Sequence, residues 1–248
     1  MANKYLVINK TTDKILMIAD DEDSAYTFIK LSHLNFDDCS IEKVEMKYFG
    51  RSIIISIRSE WVWKILNGEK TLEIRKLFPK DYIGWVYIYC TKGKPYLKQC
   101  EHFRVLNYTE ISNKGYYLNG KVVARFWCDK VEEIALAKLE NGVGYDYIYD
   151  TDTLLAQDFY KKSCLENWDL LNYFGHKYKN GEVVGYAIHI TRLETFDKPM
   201  ELTMFRKVGY KKAQMENGKN KERQSFFGLL REWSLTKAPQ SWQYIEDW

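Results

Sequence analysis

Ser56-Ile57-Arg58-Ser59-Glu60-Trp61-Val62-Trp63-Lys64-Ile65-Leu66-Asn67-Gly68-Glu69-Lys70-Thr71-Leu72-Glu73-Ile74-Arg75-Lys76 is the stretch whose reading decides the fold. It follows an apolar run of strand length that begins at Ile53. Ser59 is suited to cap a short helix over 60–66, and Gly68 to stop it. A strand over 70–76 comes next, ended by Pro79. On a strand, alternate side chains face opposite ways. Leu72 and Ile74 therefore share one face, and Thr71, Glu73 and Arg75 the other. Strand, short helix, tight turn and strand together bring an ammonium, a carboxylate and a guanidinium close in sequence.

Working outward, further strands read over 85–90, 121–128, 131–139, 186–191 and 241–245. Helices read over 153–160 and from a Ser163 cap to about residue 173, where Gly175 stops the second helix. Residues 209–224, rich in Lys, Gly and Asn, read as an inserted loop. Ahead of all this, residues 1–48 read as a separate ββαβ unit, with strands over 4–9 and 14–19, a helix after the acidic run Asp20 to Asp23, and a strand over 40–46. Short strands with few helices between them predict an α+β fold built around a small, partly open barrel, not a doubly wound sheet. The domain boundaries expected are 1–48 and 50–248.

Composition narrows the class. Among 248 residues, 46% are hydrophobic and 29% charged, which excludes a disordered or fibrous chain and allows a sizeable core. No apolar run reaches the roughly 18 residues a membrane helix needs, and the N-terminus shows no signal-peptide pattern. Five cysteines stand far apart, at 39, 90, 100, 128 and 164, with neither disulfide-framework nor zinc spacing. That usage predicts a reducing, cytoplasmic setting, and no metal or cofactor is expected. His189 sits inside an apolar strand pattern and reads as a core residue. No Walker A, G-x-G-x-x-G or G-x-S-x-G motif occurs.

Charge is unevenly spread. The net charge is +3, yet residues 1–48 carry six lysines against nine carboxylates. Residues 206–223 carry Arg206, Lys207, Lys211, Lys212, Lys219, Lys221 and Arg223 against Glu216 and Glu222. A polyanion would approach this basic segment and avoid the N-terminal unit. A solvated loop would have the same composition.

Lys70, Glu73 and Arg75 suit a nucleobase chemically. A glutamate accepts from exocyclic amines, while Lys and Arg bind phosphate or carbonyl oxygen. An indole supplies a stacking face. A Glu–Arg pair two apart on a strand is equally the pattern of a surface ion pair.

The same residues, Gly68, Lys70, Glu73 and Arg75, match the signature Gly-x-Lys-x-x-Glu-x-Arg, and the chain resembles the ASCH family of the PUA-like superfamily. Three more segments resemble its bacterial and phage-type members: Tyr87-Ile88-Tyr89-Cys90-Thr91; Gly185-Tyr186-Ala187-Ile188-His189-Ile190, running on to Phe196-Asp197-Lys198-Pro199 and Leu202; and Pro239-Gln240-Ser241-Trp242 with Tyr244. The resemblance covers residues 50–248. It implies a mixed β pseudo-barrel with a cleft beside the short helix, binding RNA, another single-stranded nucleic acid, or a modified nucleobase or nucleoside. Lys70, Glu73 and Arg75 would line that cleft, and Ser241 and Trp242 would close one wall.

One branch of the family is similar to amidohydrolases acting on N4-acetylcytidine, with a Lys, a Thr three residues on and a distant Glu. This chain keeps Lys70 but has Glu73 where the Thr would stand; Thr71 lies one residue on, and Asp158 and Glu166 are the places to look for the distant acid. A hydrolase, either a nucleoside amidohydrolase or a ribonuclease, with Lys70 shuttling a proton and Glu73 as base is the alternative reading. A phage- or prophage-derived interaction module, with a protein partner on residues 1–48, is a second alternative.

Overall fold

Isoleucine-rich runs and period-two alternation make strand the commonest regular element among the described residues. The computed structural model describes residues 2–46, 51–92, 118–138, 145–149, 156–174, 182–219 and 225–246. The strands are β1 Ala2–Asn9, β2 Lys14–Ala19, β3 Cys39–Met46, β4 Arg51–Ile57, β5 Leu72–Arg75, β6 Gly84–Cys90, β7 Lys121–Cys128, β8 Val131–Lys138, β9 Tyr145–Tyr149, β10 Glu182–His189, β11 Thr191–Glu201 and β12 Trp242–Glu246. The α-helices are α1 Glu22–Leu31, α2 Ser59–Leu66, α3 Ala156–Ser163, α4 Asn167–Phe174, α5 Tyr210–Lys219 and α6 Phe226–Trp233.

Three sheets result. The N-terminal ββαβ unit is a three-stranded antiparallel sheet ordered β2-β1-β3. Asp21 caps α1, its carboxylate accepting from the Ser24 N–H at 2.7 Å, and Glu22 and Asp23 complement the positive end of the helix dipole. One face of this sheet buries Val7 and Ala19 against Ala25 and Ile29 of α1. Its other face buries Leu6 and Ile8 against Trp127 of β7, with Trp85 packed alongside. Arg192 adds ion pairs to Asp13 and Glu42, both at 3.2 Å.

The rest of the chain makes two sheets. One is ordered β11-β7-β6-β4-β12, with β4 and β6 parallel and the other pairs antiparallel. The other, β5-β10-β8-β9, is antiparallel throughout. The chain crosses between them at residues 129–130, after β7, and at Ile190, after β10. A core cluster spans Ile53, Ile55, Ile57, Val86, Ile88, Phe126 and Ile188 from both sheets. Helices α3 and α4 cover the outer face of the four-stranded sheet, where Phe159, Leu170 and Phe174 pack on Leu72, Ile74 and Ala187. The fold is the expected α+β class, with mixed sheets and short flanking helices, and the sheets do not close into a barrel.

Several boundaries differ from the sequence reading. Strand β9, five residues with three tyrosines, has no counterpart in it. The predicted loop over 209–224 is helical over Tyr210–Lys219, although no residue of that helix is buried. Ser163 ends α3 and does not cap α4. At α2 the N-cap is Arg58, with no side-chain cap bond, and Ser59 lies inside the first turn.

Candidate ligand-binding site

The turn after α2 forms because only a left-handed residue can close it. Gly68 has φ +74°, its N–H donates to the Ile65 carbonyl at 3.0 Å, and the Glu69 N–H reaches the Lys64 carbonyl at 2.9 Å. This Schellman arrangement satisfies the helix's last carbonyls and turns the chain sharply into β5. Four residues of strand then suffice to split the side chains. Leu72 and Ile74 go under α3 and α4, while Glu73 pairs across from Ile188 and Arg75 from Tyr186 on the inter-sheet side. All four are buried, so the Glu–Arg pair is an interior one and not a surface pair.

Glu73 lies between two cations. Its Oε1 is 2.9 Å from Arg75 Nη2 and its Oε2 is 3.5 Å from Lys70 Nζ. Lys70 is 2% exposed and donates to the Ser163 carbonyl at 2.6 Å, tying the turn to the end of α3. Arg75 also donates to the Ser56 carbonyl at 2.7 Å, and its buried Nε has no hydrogen-bond partner. One carboxylate against two buried cations leaves the cluster positive. Burial pulls the Lys70 ammonium below its usual value, opposed by the neighbouring Glu73 carboxylate.

That shift has a testable consequence for stability. The unfolded chain holds the Lys70 proton up to about pH 10.5, whereas the folded protein releases it lower. In the window between, the unfolded state binds more protons, so this group makes stability rise with pH. Urea unfolding of Lys70→Met, followed as the pH rises toward 10.5, is expected to lack that rise relative to the wild type. Parallel pH profiles would overturn it.

The triad faces a cavity of about 670 Å³. Ser56, Arg58, Trp61 and Thr91 line it from the β4–α2 and β6 side, and Leu165, Asp169, Asn172 and Tyr173 from α4 and the segment leading into it. Gln240 and Ser241 complete the wall. The segment carrying them is held on β4: Ser56 N–H donates to the Ser241 carbonyl at 2.9 Å, and Ser56 Oγ to the Pro239 carbonyl at 2.6 Å. Trp61 is half-buried, with Lys64 Nζ 5.0 Å and Lys70 Nζ 5.4 Å from its ring centroid. Burial pushes the Tyr173 phenol up, and the nearby Arg75 charge pulls it back.

The structure thus brings Lys70, Glu73, Arg75 and Ser241 together on one cavity. Trp242 is not among the lining residues. Its indole N–H donates to the Leu77 carbonyl at 2.7 Å, and its ring packs edge-on against Phe78 and Tyr244 at 5.6 and 5.4 Å. It anchors the last strand, and the cavity's indole is Trp61 instead. Asp158 pairs with Lys162, and neither Asp158 nor Glu166 lines the cavity; the lining acid beyond Glu73 is Asp169. Thr71 is exposed and also off the wall.

The basic segment lies elsewhere. Arg206 and Lys207 bridge to Ser234 and Ile245, beside the Arg51 end of β4, whereas the cavity takes the Ser56–Ile57 end. At about 3.3 Å per residue the two ends are roughly 20 Å apart. The Arg206 guanidinium donates to the Thr203 carbonyl and the Ser234 hydroxyl, and Lys207 to the Glu232 carbonyl. Lys211, Lys212 and Lys219 are exposed on α5, and Lys221 and Arg223 lie outside the described residues.

His189 faces away from the cavity, 3.3 Å from the buried Glu132 carboxylate, which Lys130 also pairs. Among the described residues no group of three or more His, Cys, Asp or Glu could hold a metal ion, and no helix is long and apolar enough to cross a membrane.

Fold and site together define a three-sheet α+β protein with a cation-rich cavity between β5, α2 and α4. Solved structures similar to it include ASCH from Zymomonas mobilis, at 14% identity over 78% of this chain and 86% of that one, with a TM-score of 0.40. Two single-residue variants of that protein are similar at 13% and 15% identity over 78% of this chain and 88% and 87% of theirs, with TM-scores of 0.40 and 0.39. No residue role is carried over at that similarity. No family model matches the chain, and no curated protein matches it.

Proposed function

We propose that the cavity binds a nucleobase, either as a modified nucleoside or within RNA or another single strand. The observation that carries this reading is the buried Lys70–Glu73–Arg75 triad on one wall of a 670 Å³ cavity that also presents the Trp61 indole. A heterocycle edge needs fixed donors and an acceptor, and its plane needs a flat apolar face. The wall supplies ammonium and guanidinium donors, a carboxylate acceptor, serine hydroxyls from Ser56 and Ser241, and two aromatic rings. The lysines of α5 would add phosphate contacts only for a strand long enough to reach them.

Calorimetry with the four standard ribonucleosides and N4-acetylcytidine, on wild type and Glu73→Gln, tests the pocket. Exchanging the carboxylate for an amide should reorder the preferences across the set. Identical profiles would remove Glu73 from the recognition edge. Affinity for a strand should fall steeply with salt, and affinity for a neutral nucleoside should not.

The placement of Lys70 beside the Glu73 carboxylate on the cavity wall favours a second reading, hydrolysis of a nucleoside amide or of RNA, because an amine and a carboxylate in contact can pass a proton. Incubation with N4-acetylcytidine and labelled RNA decides it. Turnover lost in Lys70→Gln supports a hydrolase; no turnover by folded wild type rejects it.

A further inference from the structure

We propose that the cavity is one end of a groove for a single strand, in which Trp168 stacks the base next to the one in the cavity while Arg58 and Lys76 hold the intervening phosphate. This rests on the reading of the cavity as a nucleobase site. The size of the space is the first reason. At about 670 Å³ it lies in the range that encloses a whole drug-sized ligand, well beyond one planar heterocycle. A single base on Trp61 leaves room for its sugar and phosphate toward the mouth.

The rim is the second reason. Trp168 is 70% exposed and Leu77 71%, and Leu77 lines the cavity. Trp168 precedes Asn172 by four residues on α4, so the two share a helix face, and Asn172 lines the cavity. Trp168 is therefore one helical turn from the lining residue Asn172 and precedes Asp169 in sequence, at the edge of the face that lines the cavity. Tyr173, also on the wall, is 39% exposed and carries Lys76 Nζ 5.2 Å from its ring centroid. A strand-binding groove combines such exposed ring faces with cations.

Charge is the third reason, and it selects the occupant. Arg58 and Lys76 are exposed residues of the lining, against one exposed acid, Asp169. Arg58 has Glu60 3.9 Å away, a loose pair that leaves its guanidinium in solvent. Two cations at the mouth fit a phosphodiester, which a free nucleoside lacks.

Anisotropy with a fluorescein-labelled random RNA heptamer, beside calorimetry with the four ribonucleosides, tests the proposal. The heptamer is expected to bind more tightly than any nucleoside. Trp168→Ala should weaken heptamer binding by about fivefold to 150-fold, the worth of one stacked base, and Trp168→Phe should recover most of it. The double variant Arg58→Gln, Lys76→Gln should reduce the slope of log affinity against log salt by about 1.4, as expected for two lost phosphate contacts on a single strand. Nucleosides that bind as tightly as the heptamer, or a heptamer indifferent to Trp168→Ala, would overturn the groove and leave the pocket standing. A heptamer and nucleosides that all fail to bind would overturn the pocket reading and the groove with it.

Discussion

Glu73→Ala is expected to cost about 3–5 kcal/mol of folding stability, the cost of removing one partner from a buried ion pair. The carboxylate is the shared counter-charge for two largely buried side chains: Lys70 is 2% exposed and the Arg75 side chain 8%. Without it, an ammonium and a guanidinium would face each other inside the protein with no compensating charge. The loss should appear as a lower urea midpoint with an unchanged slope. The triple variant Lys70→Met, Glu73→Leu, Arg75→Met should recover most of it, since apolar side chains of similar volume often replace a buried ion cluster at little cost. A Glu73→Ala protein as stable as wild type would mean that the triad is hydrated.

The other large effect is steric. Gly185 of β10 lies under α4, and a Cβ placed there would be 2.3 Å from two carbons of the Phe174 ring. It would also be 3.1 Å from the Arg75 carbonyl. Phe174 is 6% exposed and ends the helix that carries Asp169, Asn172 and Tyr173 to the cavity. Gly185→Ala must therefore displace the ring and, with it, this wall. Overpacking of this kind costs about 1–3 kcal/mol. Ligand affinity should fall along with the urea midpoint, and Phe174→Leu in the same chain should restore both. Gly68 is the opposite case: a Cβ there meets nothing within 4 Å, and its demand for glycine comes from φ alone.

The two glycines show what could be read in advance. A left-handed turn is a local matter, written in Asn67-Gly68 after a helical run, and it predicted where α2 ends, whereas β5 begins at Leu72, later than the expected residue 70. Alternation is local too, so the division of Leu72 and Ile74 from Glu73 and Arg75 was legible. The space Gly185 leaves for Phe174 was not, because the two meet only through the packing of α4 on the four-stranded sheet. Strand β9, with Tyr145, Tyr147 and Tyr149 at alternate positions, is an outer strand of its sheet and is short enough for its pattern to be overlooked. The α5 helix was missed because Lys, Gly and Asn outweigh any periodic apolar face in it.

The site divides in the same way. Lys70, Glu73 and Arg75 are close in sequence and were named from it. Ser241 is legible only as a hydroxyl beside an amide and an indole in Gln240-Ser241-Trp242. Asp169, Asn172 and Tyr173 arrive on a helix nearly a hundred residues later and carry no local signal. Trp61, and not the expected Trp242, meets the cavity, since which indole does so depends on where β12 docks. Trp242 is drawn away by the Leu77 carbonyl and by Phe78, while Trp61 turns toward the two lysines.

The amino-acid order alone therefore determined the α+β class, the ββαβ beginning, the turn at Gly68 and the three charges that follow it, because each depends on neighbours within a few residues. Only the tertiary structure decided that those charges are buried as a triad, that a cavity opens beside them, and that the basic helix stands at the far end of the sheet. Burial, concavity and distance arise where two sheets and a late helix meet, and no short stretch of chain contains that meeting.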